Sequence, residues 1–186
     1  MASILNVDQI NNAAGTSAIT IDANGNTLMP GHVLKVSGTT LSSTTTYSNN
    51  SGENLVMSVS HTALQANSYF YISATIMFGG SSTEEAAHMI LKDNTTKILS
   101  GADAGSRIGA FASADSGANG NRCQILCNSG LYTGSTHAAG DTKTFNVYFY
   151  APNSGANYSI NRTYNDTDAN FYARTASQLT VMEIAQ

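Results

Sequence analysis

The run Ser68–Phe78, SYFYISATIMF, constrains the fold more than any other stretch of this chain. It has no charge, no Gly and no Pro, and it is rich in aromatic and β-branched residues, which favours a strand over a buried helix. At strand period, Phe70, Ile72, Ala74, Ile76 and Phe78 share one face, and Tyr69, Tyr71, Ser73, Thr75 and Met77 share the other. Both faces read as buried. The run reaches about 36 Å when extended, long for a strand. It belongs inside a sheet with cover on both sides.

Other segments repeat the pattern more briefly. Leu55–Ala63 alternates, with Leu55, Met57 and Val59 on one face and Val56, Ser58 and Ser60 on the other. Thr144–Tyr150 places Phe145, Val147 and Phe149 together. His88–Lys92 and Thr95–Leu99 flank Asp93-Asn94 and read as a hairpin; a capping box at Ser82–Glu85 is the competing helical reading. Strands are also expected at His32–Ser37, Ile108–Phe111, Cys123–Cys127, Tyr158–Ile160, Phe171–Ala173 and Gln178–Ala185, while Thr39–Asn50 reads as an edge strand or a long loop. About ten short strands with turn signals between them fit a β-sandwich. Only 11% of residues are charged and the net charge is −4, so no basic stripe exists for nucleic acid or an anionic membrane. Nothing near the start reads as a secretory signal, and no run is long enough to span a membrane.

The first 30 residues are different. VDQI (Val7–Ile10) and AITID (Ala18–Asp22) are short strand-like pieces, Asn24-Gly25 is a hairpin signal, and Pro30-Gly31 is a break. These pieces are too small to hold a core, and they read as an arm on a domain spanning 31–186.

VDQI…ITIDANGNTLMPGHVLKV resembles a pattern of phage fibre and virion-surface proteins, where it introduces a β-rich C-terminal domain. The closing LTVMEIAQ (Leu179–Gln186) resembles the last strand of such domains. The resemblance implies a jelly roll like those of C1q and tumour-necrosis-factor-like domains, which form trimers. It also implies a virion protein, made in the bacterial cytoplasm, whose arm (Ile4, Val7, Ile10, Ile19 and Ile21) attaches to other virion proteins. A host-attachment fibre or knob and a capsid decoration protein are the two functions it leaves open.

Little points to catalysis. There is no G-x-S-x-G, P-loop or Rossmann glycine pattern. On a strand, Asp166 and Asp168 would lie roughly 7 Å apart, a spacing an inverting glycosidase could use. NDTDAN (Asn165–Asn170) also reads as a turn, or as half a calcium loop without its Gly and Glu. His32, His61, His88 and His137 are scattered, so neither a metal site nor a cofactor is expected. Cys123 and Cys127 would sit roughly 13 Å apart on a strand, too far for a disulfide, and read as small buried hydrophobes. Tyr132, Tyr158, Tyr164 and Tyr172 lie in polar, Asn-rich segments. With Asp166 and Asp168 they are the candidates for contacting a host glycan or protein, on loops opposite the arm.

Overall fold

The computed structural model describes residues 7–15, 17–21, 23, 25, 27–48, 52–81, 86–115, 121–152, 157–170 and 172–186. Every regular element among them is a strand, and the strands pair antiparallel. The arm forms its own sheet from β1 (Gln9–Asn11), β2 (Ser17–Ile21) and β3 (Thr27–Leu28). Gly25 lies between β2 and β3 with φ at +83°, a conformation that glycine adopts at no steric cost. The small sheet encloses no core: Ile10 is exposed, and Val7, Ile19 and Ile21 are half-buried. Ile4 and Asn24 lie outside the described residues. The arm joins the body where Gly31 N–H donates to Ala185 O and Ala185 N–H donates to His32 O.

The body contains β4 (Val33–Leu41), β5 (Thr45–Tyr47), β6 (Gly52–Thr62), β7 (Tyr69–Gly80), β8 (Ala86–Asp93), β9 (Thr96–Lys97), β10 (Ala112–Asp115), β11 (Gln124–Tyr132), β12 (Thr142–Ala151), β13 (Tyr158–Ile160) and β14 (Ser177–Ile184). As its composition predicts, β7 is interior: Tyr71 pairs with Leu131 of β11 on one side and with Met182 of β14 on the other. β13 continues the row of β14, and β5 continues the row of β4. In the second sheet β12 lies between β6 and β8, with β10 and β9 beyond β8. Numbered in chain order, the eight principal strands run 6-3-8-1 in the first sheet and 5-4-7-2 in the second. This is the connectivity of a jelly roll.

The two inner faces meet in one core. Phe70, Ile72, Ile76 and Phe78 of β7 pack against Phe145, Val147 and Phe149 of β12, all fully buried. Ring pairs tie the sheets together, with centroids 5.2 Å apart for Phe70–Phe145 and 5.4 Å for Phe78–Phe149. Burying such side chains stabilises a fold by roughly 1.5–3 kcal/mol each.

Several expectations are corrected. β7 is covered on one face only; Tyr71 on the other face is exposed. The register of β6 against β12 shifts between Val147 and Tyr148, a bulge that turns Leu55 out to solvent and packs Val56 against the core. Residues 108–111 are not a strand; Ala112–Asp115 is. Cys127 is exposed, because it alternates with the inward Leu126, and Cys123 is half-buried; both are free thiols. The expected hairpin is β8–β9, with Asn94 in the left-handed region at φ 52°. Ser82–Glu85 lie outside the described residues.

Candidate functional site

The arm leaves the body beside the last residues of β14, and the opposite end of the sandwich, where β14 begins, lies away from it. That end carries the long connection between β13 and β14, residues 161–176. Its two ends are bridged at Arg162 and Arg174, and Thr175 N–H donates to Asn161 O. Asn161 is its buried anchor. The Asn161 Nδ2 donates to Leu41 O and Ser43 O, both at 2.8 Å, and its Oδ1 accepts from Ser177 Oγ at 2.6 Å. Gly79 lets the loop lie down on β7: a Cβ there would meet Tyr164 N at 2.6 Å and Arg162 O at 2.8 Å. Compact loops with closed ends often carry function.

The loop brings part of the expected site together. Asp166, Thr167, Asp168, Ala169, Tyr172, Ala173 and Arg174 line a cleft of about 280 Å³. Asp166 accepts from Arg174 Nη2 on both of its oxygens, at 2.7 and 2.9 Å. Arg162 donates to Thr163 O, Tyr164 O and Thr46 Oγ1, which fixes the loop on β5. Asp166 and Asp168 therefore sit on a turn-rich loop, not on a strand, and the spacing argument for a pair of acidic catalysts lapses. What the cleft offers is hydrogen bonding. Carboxylates accept and Arg174 donates, and with two Asp against one Arg the lining keeps a net negative charge.

Two candidates are misplaced. Tyr158 is fully buried among Phe78 and Phe149, and its hydroxyl donates to Ala86 O. It is a core residue, brought inward because β13 is a strand. Tyr132 ends β11 at the arm-proximal end, paired with Phe70 and packed against the core. Burial, then the nearby Asp93 carboxylate, raises its pKa. The expected distal loop Asn128–Thr136 begins inside β11 and runs on from Tyr132 at the arm-proximal end, so it is not distal. Tyr164 is half-buried in the distal loop. Arg162, Arg174 and Asn161 went unnoticed in the sequence, although Arg is scarce enough for two in one loop to be a signal.

A second feature involves the outer face of the first sheet. Val36, Met182, Tyr71 and Leu131 form a row across four strands. None of the outward side chains of β4, β7, β11 and β14 is charged. Among the described residues, the exposed large apolar side chains are Ile10 in the arm, Leu55 on the other sheet, and Val33, Val36, Tyr71, Ile125 and Leu131, all on this face.

The arm-proximal end is held by a buried network around Glu183. Its carboxylate accepts from His61 Nε2 at 3.0 Å, from the Leu64 and Gln65 amides at 2.9 Å, and from Ser68 Oγ at 2.8 Å. Burial alone would raise its pKa; these hydrogen bonds outweigh burial and bring it down to about 2. Gln65 O can only accept and Ser68 spends its proton on Glu183, so His137 carries its own proton on Nε2. No group of three or more potential metal ligands is found among the described residues.

The strand order places this protein among the jelly-roll sandwiches. No protein-family model matches the chain, and no curated protein does. Among solved structures, it resembles the Eiger TNF of S. frugiperda at 9% identity and a TM-score of 0.41, over 83% of this chain and 95% of that one. The VP2 subviral particle of infectious bursal disease virus matches at 10% identity and a TM-score of 0.42, over 97% of this chain and 46% of that one. The Gx strain of the same virus matches at 11% identity and 0.41, over 98% and 42%. The chain thus spans less than half the length of the two viral chains.

Proposed function

We propose that this chain is a structural protein of a phage virion, a homotrimer tied to the particle by its N-terminal arm, whose distal loop meets the host surface. The reading is non-enzymatic. The observation that carries it is the uncharged, part-apolar outer face of the first sheet. Interface cores are depleted of charge, and a monomer leaving this face in water would expose Tyr71, Ile125 and Leu131 together. A closed ring of copies covers it. The C1q and TNF-like domains that this sequence resembles form trimers, and its arm resembles virion attachment segments. With the arm engaged at one end, residues 161–176 at the other are presented outward.

Two experiments test this. In sedimentation, the parent should run at three times the 19.4 kDa chain mass. Leu131→Glu should run as a folded monomer, since three carboxylates cannot be buried together without counter-charge. A parent that stays monomeric at micromolar concentration refutes the assembly. In adsorption assays, Asp168→Asn combined with Tyr172→Ala should leave the trimer intact and reduce phage binding by about 10² or more, because a weak contact is multiplied by avidity. Unchanged adsorption, with fragile particles when the protein is missing, assigns it to capsid decoration instead.

A further inference from the structure

The outer face of the second sheet differs chemically from that of the first. One row of neighbours crosses all four strands: Glu53 on β6, Tyr150 on β12, His88 on β8 and Ser113 on β10. At about 4.8 Å per strand this row is about 14 Å long. At its centre the rings of Tyr150 and His88 lie 23° from parallel with centroids 5.9 Å apart. Ser113 Oγ, 2.8 Å from His88 Nδ1, holds the imidazole in place. Burial lowers the His88 pKa, which keeps the ring neutral at neutral pH. In the next row Lys92 Nζ sits 4.8 Å from the centre of the Tyr148 ring and pairs with Glu53. Glu53 and Lys92, beside the ring pair, thereby match each other, and Asp115 adds a carboxylate on the same face of β10.

We propose that this row binds a neutral polysaccharide along its length. A sugar presents an apolar C–H face that stacks on a flat neutral ring, and hydroxyls that need donors and acceptors at the rim. Tyr150 and His88 supply the rings on rigid interior strands; Glu53, Ser113 and the free His88 nitrogen supply the rim. Single-stranded nucleic acid also stacks on such rings, but it needs a positive groove. Lys92 is already paired with Glu53, and the chain carries a net charge of −4. A protein partner would find little apolar surface here, since Leu55 is the exposed large apolar residue on this sheet among those described. The row lies on a strand face, apart from the distal loop, and the inference does not depend on the virion reading.

Native electrophoresis of the full chain through gels containing dextran, soluble β-glucan or agarose tests it. The parent should be retarded by at least one of them. Tyr150→Ala and His88→Ala should each weaken binding about tenfold, the effect of one lost stacking contact. Tyr150→Phe and Tyr150→Trp, which keep the ring, should be retarded like the parent. The proposal is overturned if no gel retards the parent, if the Ala variants bind normally, or if Tyr150→Trp loses binding while folded. Retention on single-stranded DNA in place of the polysaccharides also overturns it.

Discussion

Replacing Glu183 by Ala is expected to cost about 3–5 kcal/mol, a fall in Tm of about 6–20 °C for a chain of this size. The magnitude follows from what is left behind. His61 Nε2, the amides of Leu64 and Gln65 and the Ser68 hydroxyl all point at a carboxylate with no exposure to solvent. Removing it strands these donors where water does not replace it. Glu183→Gln should be milder. His61 can move its ring proton to Nδ1, donate to Ser37 Oγ at 3.0 Å, and accept from the new amide on Nε2. That variant isolates the charge. The folded protein holds the carboxyl at about 2, below its ordinary 4.5, so the unfolded chain takes up the proton first. The stabilisation is therefore complete above about pH 4.5, declines as pH falls, and is gone near pH 2. Denaturant melts of the parent between pH 5 and 2 should show this loss, and Glu183→Gln should lack it. A parent with the same pH slope as the Gln variant would show that the network does not hold the charge.

Much of the scaffold was legible because strand parity is a strong signal. The alternation in β7 and β12 named the core residues Phe70, Ile72, Phe78, Phe145 and Phe149 correctly. Parity could also have exposed the Glu183 network. Leu179, Val181 and Glu183 share the inward face of β14, as Met57, Val59 and His61 share that of β6. A Glu and a His on inward faces of two strands are candidates for each other. The Leu55 position was not legible, since a bulge shifts parity by one residue without a mark in composition. The outer face of β7 looked buried and is open within one chain. Periodicity reports that a face is apolar and does not say what covers it. Tyr132 reads as loop from its polar neighbours, and Tyr158 lies in an expected strand yet reads as a surface contact. Pairing with Phe70 makes Tyr132 a strand residue, and the inward turn of Tyr158 follows from its pairing with Gly80, long-range properties that local composition does not carry.

The distal loop depends on one residue, and Asn161→Ala should show it. Asn161 has no exposure and sits at φ 61°, a left-handed conformation that Asn tolerates and Ala resists by about 1–2 kcal/mol. Its side chain satisfies Leu41 O, Ser43 O and Ser177 Oγ, which bind the loop to β4, to the turn after it and to the start of β14. Leaving the three buried partners unmet adds about 1–3 kcal/mol each, so the total loss should be at least about 4 kcal/mol. Asn161→Gly separates the two parts, because glycine removes the hydrogen bonds but not the backbone fit; it should recover about 1 kcal/mol over Ala. The damage should be local before it is global. Hydrogen exchange at the Thr163 and Thr175 amides, which bond to Ala173 O and Asn161 O, should accelerate far more than at Val147 in the core. Because Asp166, Asp168, Tyr172 and Arg174 are held together only while this loop is closed, the host contact proposed above requires adsorption to fall with loop protection under conditions where the core remains intact. If Asn161→Ala exchanges evenly throughout the domain, the loop is part of the global fold, and the distal site is not a separately adjustable element.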